Sequence, residues 1–135
     1  MNITTYEFKV RGDNRGALIA IEENMDIPFS LKRVYYIFNT GEGIIRGLHA
    51  HYTLRQVLVC IHGSCKILLD NGREKTEVPM DRSSKGLLVD RMIWHEMYDF
   101  SKDCVLLSLA SDFYKEEDYI RDYQKFSDIV KGVIR

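Results

Sequence analysis

The alternation of hydrophobic and polar positions predicts a chain built mainly from short β-strands. In LKRVYYIFN, residues 31–39, Val34 and Tyr36 would face one side of a strand and Arg33 and Tyr35 the other, because successive strand side chains point to opposite faces. Similar runs recur along the chain: GALIAIEE, GLHAH, RQVLVCIHG, SCKILLD, REKTEV, KGLLVD, IWHEMYDF and CVLLSLAS. Strands at this spacing are typical of a sandwich or barrel, so the pattern predicts an all-β fold.

The period changes only in the C-terminal segment KEEDYIRDYQKFSDIVKGVI. Its large apolar residues recur every three or four positions, which predicts an amphipathic helix. These residues are Tyr119, Tyr123, Phe126 and Val130. Asp112 precedes the segment and is a candidate N-cap. Because no linker or repeat interrupts the chain, we expect one domain over residues 1–135, with a β-barrel at about 1–111 and the helix at about 115–133.

The composition excludes several classes of partner. The 135 residues are 45% hydrophobic and 29% charged, with a net charge of −1, so no basic field would attract nucleic acid or an anionic membrane. No apolar run approaches the length of a membrane span, and the N-terminal segment lacks the features of a signal peptide. The three cysteines are an odd number without CxxC spacing, which indicates buried, reduced thiols in a cytoplasmic protein.

Two histidines, His49 and His51, stand one residue apart in a predicted strand. Their side chains would therefore share one face of the sheet. Such a pair could bind a metal ion or transfer protons. The remaining interpretation, two hydrogen-bonded core histidines, is disfavoured by the cost of burying two polar rings on one face.

The residues around this pair resemble the first motif of the cupins, G-x5-H-x-H-x3-4-E-x6-G. Gly43, His49, His51 and Gly63 match it in spacing, whereas Gln56 stands where the family has a glutamate. The resemblance implies a double-stranded β-helix, or jelly roll, that holds its ligand at the mouth of the barrel. This cupin fold agrees with the all-β pattern, to which the sequence adds a short C-terminal α-helix.

The resemblance also bears on the choice between metal binding and proton transfer. Metal-binding cupins use two histidines and the glutamate of the first motif together with a histidine of the second motif, G-x5-P-x-G-x2-H. Gln56 offers only a neutral amide, which is a poor ligand for a transition metal. In the second motif Met92 and Trp94 replace the proline and the glycine, and His95 comes two residues early. We therefore expect no metal and no other cofactor, and histidines that act as neutral acid/base groups.

Longer stretches resemble the sugar-nucleotide 3,4-ketoisomerases over nearly the whole chain. They are RGxLIAIEE, IPFSLKRVYYIF, RGLHAH, QVLVCIHGSCKILLD, WHEM and LASDFYxEEDYIRDYxxF. The resemblance implies an isomerase that moves the carbonyl of dTDP-4-keto-6-deoxyglucose from C4 to C3. It also implies a homodimer formed by strand exchange. The 3-keto products of this family are aminated at C3 and enter lipopolysaccharide O-antigens or S-layer glycans.

The resemblance assigns roles to five residues. It implies that His51 is the base at carbon and His49 the acid/base group on the oxygen side, although spacing alone does not distinguish them. Tyr35 would contribute to the sugar site, or would be an ordinary core tyrosine. Arg33 and Arg46 are candidates for binding the pyrophosphate. Arg46 would face away from His49 on a regular strand, unless a bulge at the glycine between them reverses it.

Arg15 and His95 bear on the configuration of the product. In this family the enzymes with galacto products resemble this chain at both positions, whereas those with gluco products tend to carry a tyrosine and an arginine. We expect both residues to line the pocket opposite the catalytic histidines and the product to be dTDP-3-keto-6-deoxygalactose. The alternatives are that Arg15 is a polar turn residue and His95 a histidine at the rim.

Other functions remain open from the sequence. They are the same reaction with a gluco product, a metal-dependent cupin such as a dioxygenase, and a non-catalytic sugar-binding cupin. The RGLH segment also resembles the motif of the dTDP-4-keto-6-deoxyglucose 3,5-epimerases. Those enzymes are longer and pair this histidine with a distant acid and tyrosine, for which the chain shows no matching motif.

Overall fold

The computed structural model describes residues 1–133, so the last two residues of the expected 1–135 domain lie outside it. The chain forms twelve strands within these residues: β1 Thr5–Glu7, β2 Arg11–Asp13, β3 Gly16–Leu18, β4 Arg33–Ile37, β5 Arg46–His51, β6 Gln56–His62, β7 Cys65–Asp70, β8 Lys75–Met80, β9 Lys85–Val89, β10 Trp94–Tyr98, β11 Val105–Ala110 and β12 Tyr119–Ile120. A 3-10 turn at Glu116–Asp118 precedes β12, and one helix, α1, spans Tyr123–Val130.

Ten of the strands form two antiparallel sheets, which confirms the predicted all-β jelly roll. One sheet has the order β1-β9-β6-β11-β4 and the other β12-β5-β10-β7-β8. Apolar side chains from both sheets form the core, among them Leu58, Ile67, Met80, Leu87 and Leu106, all 1% exposed or less. Strands β2 and β3 form a separate hairpin whose residues are all exposed.

The alternation predicted for residues 31–39 is present in β4. Val34 and Tyr36 lie on the outer face and are 50% and 60% exposed, whereas Ile37 is buried. Arg33 and Tyr35 share the inner face with Ile37 and are partly buried. The strand is shorter at both ends than the apolar run, because its ladder with β11 covers only Arg33–Ile37.

The predicted strand at residues 16–23 is wrong beyond Leu18. After Leu18 the chain leaves the hairpin, and the predicted range then holds only an isolated bridge from Glu23 to Ile27. Ile19 and Ile21 instead pack against a cluster that contains Ile27 and Phe29. Their apolar character therefore reflects burial by tertiary contacts and not membership of a sheet.

The helix predicted at about 115–133 is shorter in the structure. Asp122 is its N-cap, and its carboxylate accepts from the backbone N–H groups of Gln124 and Lys125. Asp112, the predicted cap, lies far upstream. The helix-like apolar spacing also includes Tyr119. In the structure, however, Tyr119 and Ile120 form β12, which is hydrogen-bonded to β5. No helix in the described part of the chain is long and apolar enough to cross a membrane.

Candidate active site

A bulge in β5 sets the direction of the residues around the first histidine. Gly47 has φ +85° and Leu48 has φ +58°. The register between β10 and β5 shifts here, so that His95 pairs with His49 and the next residue, Glu96, pairs with Gly47. The extra residue reverses the expected alternation. Arg46 and His49 consequently line the same cavity despite their odd spacing.

This cavity is bordered by β4, β5, β10 and β12 and has a volume of about 470 Å³. Its size is within the usual range for small-molecule sites. Its polar and aromatic lining comes from three regions of the chain: Arg33, Tyr35, Arg46, His49, Tyr119 and Arg121. Ile37, Ile44, Ile45 and Met97 supply apolar wall. The cavity therefore combines cationic groups, aromatic hydroxyls and one partly exposed imidazole.

Three histidine rings form a compact cluster at the base of this cavity. The ring centroids are 4.9 Å apart for His49 and His51, 4.6 Å for His49 and His95, and 6.1 Å for His51 and His95. His49 is partly exposed, whereas His51 and His95 are buried. His49 therefore forms part of the cavity wall, and His51 lies behind it, away from solvent.

The tautomer of His49 follows from a single contact. Its Nδ1 lies 2.8 Å from the carbonyl oxygen of Gly47. Because a carbonyl oxygen can only accept, Nδ1 carries the proton in this contact, and Nε2 of the neutral ring keeps its lone pair. The bulge that orients His49 therefore also leaves its second nitrogen able to take up a proton.

Burial keeps all three imidazoles neutral near pH 7. Desolvation, assisted by the neighbouring His49, lowers the pKa of His51 to about 4. Burial likewise lowers the pKa of His49, and it lowers that of His95 well below the ordinary value. An imidazole whose pKa lies below the working pH is unprotonated and can accept a proton, and it is a weaker base the further its pKa is lowered.

Asp118 is a further residue of the candidate site, and no sequence pattern indicated it. Its Oδ2 lies 3.5 Å from Nδ1 of His51, and this nitrogen is buried without a hydrogen-bond partner among the described residues. The carboxylate is fixed by the Thr53 backbone N–H and hydroxyl, at 2.9 and 2.8 Å, and by the Leu54 N–H at 3.1 Å. No motif marks Asp118, because only the pairing of β12 with β5 brings it to His51.

Tyr119 and Arg121 were also missed. The Tyr119 ring lies 4.8 Å from His49 and 4.3 Å from His51, centroid to centroid. The Arg121 guanidinium stacks over that ring at 4.3 Å. The apolar spacing predicted that both residues belong to a helix, so nothing in the sequence indicated that they lie beside the histidines. The 3.6-residue period of their neighbours gave no signal of a strand.

Gln56, at the position of the cupin glutamate, is the centre of a hydrogen-bond network. Its side-chain oxygen accepts from the Tyr35 hydroxyl at 2.8 Å and from the Ser108 hydroxyl at 2.8 Å. Its nitrogen lies 3.4 Å from Nε2 of His95. Both lone pairs of the amide oxygen are therefore used, and the amide positions Tyr35 at the cavity wall instead of offering a free ligand atom.

The remaining predicted residues divide into two groups. Arg33 lies at the cavity, 5.3 Å from the centroid of the Tyr35 ring. Arg15 does not line it, because it lies in the exposed β2–β3 hairpin and pairs with Asp13 at 2.6 Å. His95 does not line it either, since it is fully buried between Gln56 and His49. The expectation that Arg15 and His95 face the pocket opposite the histidines is therefore wrong within a single chain.

A jelly roll with a cluster of histidines at a cavity, beside a tyrosine and several arginines, is typical of enzymes of the cupin class. A family model described as "FdtA: WxcM-like, C-terminal" matches residues 1–131. A curated relative, the TDP-4-oxo-6-deoxy-alpha-D-glucose-3,4-oxoisomerase of Aneurinibacillus thermoaerophilus, is 54% identical over 126 residues, which cover 93% of this chain and 91% of that protein. The chain belongs to this family of sugar-nucleotide 3,4-ketoisomerases, and it is an isomerase.

Two crystal structures of the QdtA 3,4-ketoisomerase from Thermoanaerobacterium thermosaccharolyticum are also similar. One is a variant with tyrosine changed to arginine and arginine changed to histidine, in complex with TDP; it has a TM-score of 0.94 and 45% identity, covering 98% of this chain and 96% of that chain. The other is a histidine-to-asparagine variant in complex with TDP-4-keto-6-deoxyglucose; it has a TM-score of 0.94 and 44% identity, covering 97% and 95%.

Proposed function

We propose that the chain converts dTDP-4-keto-6-deoxyglucose into dTDP-3-keto-6-deoxygalactose by histidine acid/base catalysis, without a metal or organic cofactor. The product would supply 3-amino-3,6-dideoxyhexoses for surface glycans. The observation that carries the proposal is a pair of neutral imidazoles: His49 lines the cavity with Tyr35, and the His51 ring lies behind it at 4.9 Å. The relatives' names and their complexes with TDP and a keto sugar support the substrate class.

The reaction needs only proton transfers. The ketone at C4 acidifies the hydrogen on C3, a base removes that proton, and an enediol forms. A proton then adds to C4, and the C3 hydroxyl loses its proton to become the new ketone. We assign His51 as the base at carbon and His49 as the group that moves protons between oxygens, as the family resemblance implies. Both imidazoles are unprotonated near pH 7 and can accept a proton. Contacts of a catalytic base to its proton often form only with substrate bound.

The polar groups at the cavity match the charges of the substrate. Tyr35 would donate to an oxygen of the enediolate, with its hydroxyl held by Gln56. Arg33 and Arg46 would bind the pyrophosphate, to which guanidinium groups donate paired hydrogen bonds. Arg121 lines the same cavity and adds a third cation.

We also propose that the chain is a homodimer formed by strand exchange. The outer face of β4 exposes Val34 and Tyr36, and Phe38 beyond its end is 56% exposed. Exchange of the β2–β3 hairpin would cover apolar surface and would give Arg15 a route to the partner's cavity. Light scattering of the purified chain tests this against the 15.8 kDa mass of one chain.

Three free cysteines favour a reducing compartment, which we propose is the cytoplasm.

The configuration at C4 of the product tests the proposed function. The QdtA double variant introduces an arginine and a histidine, the residue types that this chain has in Arg15 and His95. Because the family resemblance associates these two residues with galacto products, we expect a galacto product. Coupling the reaction to a C3 aminotransferase converts the product into a stable amine, whose proton NMR spectrum reports the H3–H4 coupling constant. A small constant is expected. A large diaxial constant would show a gluco product, and no turnover would support a sugar-binding cupin instead.

Chelator treatment tests whether a metal takes part. Because both lone pairs of the Gln56 oxygen are occupied by hydroxyl groups, we expect prolonged dialysis against a strong chelator to leave the rate of ketoisomerisation unchanged. The measurement is the initial rate before and after dialysis, with metal content followed in parallel. If activity disappeared and returned with one divalent ion, the acid/base roles of His49 and His51 would have to be abandoned.

Removing the carboxylate of Asp118 is expected to change both rate and pH dependence. Asp118 holds the pKa of His51 higher than burial and His49 alone would set it. In Asp118→Asn this pKa should fall further, so His51 becomes a weaker base that stays unprotonated to lower pH. We expect kcat to fall by about 10- to 100-fold, as for a misplaced catalytic group, and the acid limb of kcat/KM to move to lower pH.

Thr53→Val is the matched control for Asp118→Asn. It removes one hydrogen bond to the same carboxylate but leaves the charge in place. The control should lower the free energy of unfolding by about 1 kcal/mol without moving the pH profile. An unshifted acid limb in Asp118→Asn would show that Asp118 only fixes the loop around Thr53.

A further inference from the structure

The three cysteines of the chain converge in the core and do not line the cavity. Cys60 is in β6, Cys65 begins β7 and Cys104 immediately precedes β11. Each thiol is buried, with at most 4% of the residue exposed. The Cys60 and Cys104 sulfurs are 3.6 Å apart, and all three sulfurs lie within 4.8 Å of one another. Within residues 1–133 this is the one set of three or more histidine, cysteine or acidic side chains that converges so closely.

The cluster lies towards the opposite end of the barrel from the histidines. Strand β6 starts at Gln56, which contacts His95, and Cys60 is four residues further on. At about 3.3 Å per residue, this places Cys60 roughly 13 Å along the strand from Gln56. Neither the proposed reaction nor its substrate uses these thiols.

The surroundings of the thiols restrict the charge of any ligand. The three cysteines belong to one core cluster with Ile67, Met80 and other apolar residues, and burial of a net charge there would be costly. A zinc ion with three thiolates is an anion, and copper(I) with three thiolates carries a larger negative charge. A complex of trivalent arsenic or antimony with three thiolates is neutral. The three free thiols are also neutral, so the net charge of the core is the same before and after binding.

We propose that Cys60, Cys65 and Cys104 form a binding site for a trivalent thiophilic ion of the arsenite type. Arsenite enters as As(OH)₃. Three As–O bonds break and three As–S bonds form, and each hydroxide leaves as water with the proton of one thiol. The ion remains trivalent, so the reaction needs no oxidant or reductant. The product is a neutral complex that adds no charge to the core.

The site lies close to the surface at one of its three ligands. Cys104 directly follows the exposed residues Lys102 and Asp103, so a single turn separates the site from solvent.

Native mass spectrometry of the reduced, full-length chain with sodium arsenite tests the proposal. We expect one arsenic per chain and a mass increase equal to one arsenic atom minus three hydrogen atoms. All three thiols should lose their reactivity towards a thiol reagent after unfolding, and the midpoint of thermal unfolding should rise. X-ray absorption at the arsenic edge should show three sulfur neighbours in the wild-type chain, a measurement that does not depend on any variant.

Substitutions separate this site from general thiol chemistry. Each of Cys60→Ala, Cys65→Ala and Cys104→Ala should lose the three-hydrogen adduct. Met80→Leu changes the residue that pairs with Cys65 across the strands but keeps all three thiols, so it should retain the adduct. Retention of the adduct by a cysteine variant, fewer than three sulfur neighbours, or absence of an adduct on the folded chain would overturn the proposal. Tighter binding of zinc than of arsenite in competition would overturn its charge argument.

Discussion

Replacing His51 by asparagine is expected to lower kcat by about 10²- to 10⁴-fold, the usual contribution of a general base. Asparagine retains a polar side chain at this buried position but cannot take a proton from carbon. His51 is buried directly behind His49 at the cavity wall, and its pKa of about 4 keeps it unprotonated at neutral pH. TDP binding should be little changed, because the candidate cations for the pyrophosphate are on other side chains.

His62→Asn provides the matched control for this prediction. His62 lies at the end of β6, its side chain is 68% exposed, and it pairs with Asp103 outside the cavity. This substitution should leave kcat unchanged. Proton NMR of the keto sugar gives the rate and calorimetry gives TDP affinity for both variants. Near wild-type kcat in His51→Asn would remove the role assigned to this histidine, and a loss confined to TDP binding would place it in substrate recognition.

Replacing Gly47 by alanine is expected to affect both stability and turnover. At φ +85° an added Cβ is strained, and it would lie 2.8 Å from the His95 carbonyl oxygen and 3.1 Å from Cε of Met97. We expect the free energy of unfolding to fall by roughly 2–4 kcal/mol, as for a residue forced into a disfavoured backbone conformation with a steric clash. Turnover should also fall, because the Gly47 carbonyl accepts from His49 and the bulge directs Arg46 into the cavity.

Gly43→Ala separates the cost of a positive φ from the cost of the steric clash. Gly43 also has positive φ, at +75°, but an added Cβ there meets no atom within 4 Å. Its substitution should cost only about 1–2 kcal/mol and leave kcat nearly unchanged. Urea unfolding and initial rates, measured on both variants, test the comparison. Equal losses of stability would show that the contact with His95 has no part in the effect, and unchanged kcat in Gly47→Ala would separate the bulge from catalysis.

Strand periodicity explains how far the sequence could predict the site. Residues of one strand keep their relative orientation as long as the strand is regular, so Arg33 and Tyr35 were correctly placed on one inner face. The spacing of His49 and His51 likewise predicted that their rings would be neighbours, and their centroids are 4.9 Å apart. Such local relations depend on backbone geometry alone. No partner strand has to be known.

The same reasoning failed where the backbone departs from its regular period. Gly47 suggested a bulge, but only the register shift opposite His95 and Glu96 shows that Arg46 reaches the cavity. The apolar spacing of Tyr119 and Tyr123 fits a helix, although Tyr119 pairs with a strand. Spacing cannot distinguish a short edge strand followed by a helix from one continuous helix, because hydrogen bonds to β5 decide between them.

The sequence by itself determined the all-β fold, the C-terminal helical segment and the cupin-like histidine pair, because alternation and motif spacing are properties of local backbone geometry. Only the tertiary structure decided that Asp118 and Tyr119 lie beside His51, that Gln56 is held by Tyr35 and Ser108, and that three distant cysteines meet in the core. It also placed Arg15 in an exposed hairpin, away from the cavity of its own chain. These contacts join residues far apart in the chain, and their positions depend on strand pairing and sheet packing, which the local pattern does not specify.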